Sequence, residues 1–67
     1  MVKYRIKEIR REKGLTQEEL STKSGVSRAT ICALERDEGT VTTTRTLFFL
    51  AEALGVEMDE LFYTAGA

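Results

Sequence analysis

The chain has no proline, no histidine and no tryptophan, and its only cysteine is Cys32. A lone thiol allows no internal disulfide and no cysteine–histidine zinc site within one copy, which fits a reducing cytoplasm. Without histidine the commonest general base is also missing, and the acidic residues of 57–60 flank a short predicted helix instead of lining a pocket. No glycine-rich phosphate loop occurs. These gaps argue against an enzyme, and neither a metal nor another cofactor is expected. Long apolar runs are lacking too. The longest, Leu47 to Ala51, is far shorter than the roughly 20 residues a membrane helix needs. No signal peptide is recognisable. The expected location is cytoplasmic and nucleoid-associated, with no membrane partner.

What is present is one short, charged, half-basic chain. Its 67 residues allow a single domain, taken as 1–67. A chain this size buries only about 60% of its unfolded surface, so its stability margin is small. The net charge of −1 is unusual for a protein that meets nucleic acid, but the charges are unevenly placed. Residues 1–36 carry nine Lys/Arg against five Glu, whereas 37–67 carry one Arg against six Asp/Glu. Such polarity gives the first half a positive field that the total conceals.

That basic half contains the most specific pattern in the chain, TQEELSTKSGVSRATICALER at 16–36. Thr16 and Glu19 form a capping-box pair that starts a helix over 17–23. Leu20 faces inward, Ser21 is small enough for a close helix approach, and Gly25 suits the left-handed backbone of a sharp turn. Ser24 occupies an inward position that more often carries an aliphatic residue. Ser27 caps a second helix over 28–36, with Val26, Ile31 and Leu34 turned to the core. Two capped helices around a glycine turn make a helix-turn-helix, whose second helix commonly enters the DNA major groove.

Around this unit the periodicity predicts three more helices. The first covers 2–13, with Ile6 and Ile9 inward, extended by Tyr4 or Val2, and it ends at Gly14 before Leu15 packs back. Residues 37–41 form a loop. One of Thr42, Thr43 and Thr44 caps a helix over 44–54, with Leu47, Leu50, Ala51 and Leu54 inward. A last short helix covers 58–63, where Leu61 and Phe62 are apolar. The expected fold is all-α, with five short helices around one core.

The segments RIKEIRREKGLTQEELSTKSGVSRATICALER and TLFFLAEALGVEMDELF closely resemble the lambda-repressor-like (Cro/repressor, XRE-type) family of helix-turn-helix DNA-binding domains, over nearly the whole chain. The resemblance implies that Gln17, at the start of the second helix, bonds a DNA phosphate. It also implies an internal salt bridge between Arg10 and Glu35. On the reading helix, Arg28 suits either a guanine edge or a phosphate, with base contact preferred, and Ala29 suits a thymine methyl. Ser27 and Thr30 offer hydroxyls to phosphate. Cys32 and Ala33 are small and outward, which limits the hydrogen-bond code, and a redox role for Cys32 has no support. Arg36 and Arg45 complete the candidate DNA contacts.

Two features depart from the family. Its loop after the third helix is usually basic, but here it reads DEGTV, and Arg45 is placed to compensate. Phe49 lies off the buried stripe where the family tends to carry a polar residue. With Met58 and Tyr63 it forms a candidate homodimer interface, set against the alternative that it covers a flank of the core. The function these observations imply is a sequence-specific regulator of transcription, a repressor binding a palindromic operator in double-stranded DNA as a homodimer. No small-molecule ligand is expected. The alternative is a protein-interaction module that keeps the fold and binds DNA weakly.

Overall fold

The computed structural model describes residues 2–36 and 42–64. Among them, four α-helices carry the fold: α1 (Ile6–Glu12), α2 (Gln17–Ser24), α3 (Arg28–Arg36) and α4 (Thr44–Leu54). Two short strands, β1 (Val2–Tyr4) and β2 (Phe62–Thr64), join the ends of this helical body. A single 3-10 turn at Met58–Glu60 leads into β2.

The helical fold and its helix-turn-helix stand, while the two outer segments differ from the sequence pattern. Residues 2–4 are not the first turn of α1. They pair antiparallel with 62–64, with Tyr4 opposite Phe62 and Lys3 opposite Tyr63. The Arg5 amide then donates to the Leu61 carbonyl at 2.6 Å, which commits this backbone to the ribbon before α1 starts. For the same reason the helix expected over 58–63 is only the 3-10 turn: Phe62 and Tyr63 belong to the ladder. Aromatic and β-branched residues suit a half-buried pleated surface, and here the partner strand supplies the surface.

Local signals account for the other boundaries. Thr16 accepts from the Glu19 amide at 3.0 Å while Glu19 accepts from the Thr16 amide at 2.9 Å, so the predicted capping box starts α2. Of the three threonines before α4, Thr43 is the cap, accepting from the Thr46 amide at 3.1 Å. The core draws on all four helices and on Leu61, just after the 3-10 turn. Ile6, Leu20, Ile31, Leu50 and Leu61 are its largest fully buried side chains. Each contributes about 1.5–3 kcal/mol through apolar burial. Tyr4, Ile9, Leu15, Met58 and Phe62 pack against this core while staying partly exposed. Helix α2 packs on both α3 and α4, so α3 is held from behind with its other side turned outward.

Candidate nucleic-acid interface

The angle between α2 and α3 is set by a turn with little freedom. Gly25 has φ +78°, a left-handed conformation that side-chain-bearing residues rarely adopt. Ser24, the odd residue at an inward position, uses its hydroxyl to accept from the Val26 amide at 3.1 Å. Ser21 donates its hydroxyl to the Val26 carbonyl at 2.7 Å. Two serines thus satisfy both backbone polar groups of the half-turn residue Val26, which itself is buried. Their small size lets the helices close, and their hydroxyls replace the apolar contact a larger residue would make.

Helix α3 starts with its N-terminal turn in the open. Ser27, Arg28 and Ala29 are exposed, and so is Arg36 at the far end. Thr30, Cys32 and Ala33 are half-buried. Cys32 and Ala33 therefore face the flank of the reading surface more than its crest. The hydroxyls of Ser27 and Thr30 lie 2.9 Å apart, and Ser27 also accepts from the Thr30 amide at 3.2 Å. Both are engaged in capping α3, which fixes its first turn.

Beneath this face runs a polar chain linking three helices. Arg10 donates through Nε to Glu35 Oε2 at 2.8 Å and through Nη2 to Glu35 Oε1 at 3.0 Å. Its remaining Nη1 donates to the Leu15 carbonyl at 2.8 Å. The two side chains are only 10% and 4% exposed, so this bidentate pair is largely desolvated. Gln17 extends the chain, its Nε2 donating to Glu35 Oε1 at 3.0 Å. Burial pushes the Glu35 carboxyl up, but the hydrogen bonds from Arg10 and Gln17, with the charges of Arg10 and Lys7, outweigh it and leave the group below its ordinary value. The bond to Glu35 likewise raises the Arg10 guanidinium above its ordinary value against the effect of burial.

The engagement of Gln17 with Glu35 is the feature that sequence reasoning missed. The bond orients the Gln17 amide and leaves its second N–H available, at the helix end where unpaired backbone amides favour anions. Gln17 and Arg28 line one open groove together with Arg11 and Thr16. A candidate phosphate contact and a candidate base contact are thus adjacent.

The residues grouped as a candidate dimer surface have different surroundings. Phe49 is 38% exposed, and its ring neighbour is Phe48, itself 46% exposed, with centroids 6.1 Å apart. Arg45 lies over the Phe49 ring at 5.6 Å. Met58 is half-buried against the core. Tyr63 belongs to the terminal ribbon, with the Arg5 guanidinium 4.6 Å above its ring. Phe48 was absent from the sequence-based grouping, although its adjacency to Phe49 was a usable signal. The DEGTV loop at 37–41 lies outside the described residues.

Among the described residues no group of three or more His, Cys, Asp or Glu is arranged to hold a metal ion, and no helix is long and apolar enough to cross a membrane. Comparison with known proteins agrees with the geometry. A family profile described as helix-turn-helix matches residues 6–61. A protein of Sinorhizobium fredii, named as the uncharacterized HTH-type transcriptional regulator y4dJ, is 51% identical over 53 residues, which cover 79% of this chain and 68% of that protein. The crystal structure of the restriction-modification controller protein C.AhdI from Aeromonas hydrophila superposes with a TM-score of 0.76 at 36% identity, over 84% of this chain and 83% of that one. With a glycine-turned helix pair that leaves the start of α3 open, and with these matches across most of its length, the chain belongs to the lambda-repressor-like, XRE-type family of helix-turn-helix transcriptional regulators.

Proposed function

We propose that the protein is a sequence-specific repressor that binds a palindromic operator in double-stranded DNA as a homodimer, with α3 in the major groove. The observation that carries this reading is the exposed N-terminal turn of α3, with Arg28 sharing a groove with Gln17. A helix entering the major groove presents that end to base edges while backbone contacts fix its register. In this arrangement Arg28 reads guanine and Ala29 meets a thymine methyl. Gln17, held by Glu35, seats a phosphate. Ser27 and Thr30 hold the helix start, and Arg36 and Arg45 meet the backbone farther out. Cys32 and Ala33 allow close approach without adding donors.

One such helix reads only a few base pairs, so useful selectivity calls for two copies. The exposed Phe48–Phe49 pair on α4 is the best support for a self-contact, with Met58 and the exposed Tyr63 as its further candidate members. The controller protein C.AhdI supports placing this chain in the same class of small regulator.

Selection of tight binders from random duplex DNA at near-physiological salt tests the proposal. The expected result is an enriched palindrome whose half-site centres lie about one helical turn apart, with Arg28→Ala losing preference at one or two positions per half-site. Enrichment of a single half-site would remove the homodimer. No enrichment by the folded protein would overturn DNA recognition, and would favour a protein-interaction module using the Phe48–Phe49 face.

A further inference from the structure

Helix α1 segregates its charges in a way that net charge does not reveal. Lys7 and Arg11 are four residues apart and share one face, while Glu8 lines a neighbouring hollow with Lys3, Tyr4 and Tyr63, which meets the first at Glu35 and Arg36. The Lys7 and Arg11 face opens onto a hollow between α1, the start of α2 and the later part of α3. Its lining includes Lys7, Arg10, Arg11, Gln17, Glu35 and Arg36. Four of these are cations, and Glu35 is the one carboxylate in the lining. Both Glu35 oxygens are engaged, Oε2 by Arg10 and Oε1 by Arg10 and Gln17. Lys7, Arg11 and Arg36 are exposed around it.

Like charges at a four-residue spacing destabilise a helix, and the one carboxylate that attracts Lys7, Glu35, is already bonded by Arg10 and Gln17. Gln17 forms a wall of this hollow and also of the groove that holds Arg28. A DNA strand resting on Gln17 therefore passes over the hollow, and with a negative charge every ~1.7 Å of duplex it brings further phosphates there.

Building on the DNA-binding reading above, we propose that Lys7, Arg11 and Arg36 form a second phosphate seat, which grips the duplex backbone on the α1 side of α3. The ligand is the polyanionic backbone of DNA. A small free anion gains little in so open a hollow, where the one buried cation, Arg10, is already paired, whereas a polyanion releases counterions on binding.

The test is duplex affinity against salt for the wild type and for the Lys7→Gln/Arg11→Gln double variant, on the selected operator and on unrelated duplexes. Each lost phosphate contact lowers the slope of log affinity against log salt by about 0.9, so two contacts shrink the affinity drop between about 50 and about 200 mM salt roughly 12-fold. The loss should be equal on operator and unrelated DNA. Without DNA, the double variant should melt within a few degrees of the wild type, because relief of the Lys7–Arg11 repulsion is set against loss of the Lys7 attraction to Glu35. That combination distinguishes a binding role from a structural one. An unchanged slope in the double variant, with Arg28→Ala still altering sequence preference, would overturn the seat and leave the DNA-binding reading intact. Competition by inorganic phosphate at constant ionic strength, lost in the double variant, would overturn it in favour of a free-anion site. A wild type that binds no duplex would overturn both readings.

Discussion

Replacing Arg10 by Met removes one partner of a largely buried ion pair and isolates the other. Glu35, 4% exposed, would keep only the Gln17 amide at 3.0 Å and would lose both guanidinium bonds. Breaking a buried pair in this way costs about 3–5 kcal/mol, mostly from the stranded charge. The whole fold, at 67 residues, has only about 3–10 kcal/mol to lose. Even at the lower figure the melting midpoint falls by roughly 12–24 °C. The double variant Arg10→Met/Glu35→Leu removes both charges and fills the space with apolar atoms, so it should recover most of the loss. The reason is that the attraction of a buried pair does little more than offset its desolvation. Thermal and urea unfolding followed by far-ultraviolet circular dichroism, arranged as a double-mutant cycle, reads this directly. If Arg10→Met costs less than about 1 kcal/mol and adds simply to Glu35→Leu, the pair behaves like a surface salt bridge and the reasoning fails.

Two further outcomes follow from the same geometry. The folded-state Glu35 carboxyl sits below its ordinary value of 4.5, so the unfolded state binds more protons there. Its stabilising contribution is therefore complete above that ordinary value and is lost as pH falls through the lower folded value. The urea midpoint should drop in that acid window, and Arg10→Met/Glu35→Leu should drop less; equal losses would place the acid sensitivity elsewhere. Gly25→Ala meets no atom within 4 Å of the added methyl, so its cost is the left-handed backbone alone, about 1–2 kcal/mol. A loss well above that in denaturant unfolding would mean that the α2–α3 contact itself had been disturbed.

How far these features were legible in the sequence depended on how local their causes are. Thr16, Glu19, Gly25, Ser27 and Thr43 act within a few residues of themselves, and each starts or ends an element at the expected place. The terminal ribbon was not legible, because Tyr4 and Phe62 become strand residues only by facing each other from opposite ends of the chain. A 2–6–9 apolar spacing reads equally well as one helix face until the partner strand is known. The candidate site divides in the same way. The exposed start of α3 followed from its inward pair, Ile31 and Leu34. The orientation of Gln17 did not, since its partner Glu35 lies 18 residues away.

By itself the sequence determined α2, α3 and α4, the glycine turn and which face of α3 is apolar, because caps, turn residues and 3.6-residue periodicity are short-range effects. Only the tertiary structure decided that Glu35 holds both Arg10 and Gln17, that Lys7, Arg11 and Arg36 surround one hollow, and that Phe49 pairs with Phe48 while Tyr63 pairs with Arg5. Those arrangements depend on how separate helices and strands pack, and packing brings together residues whose individual propensities carry no record of one another.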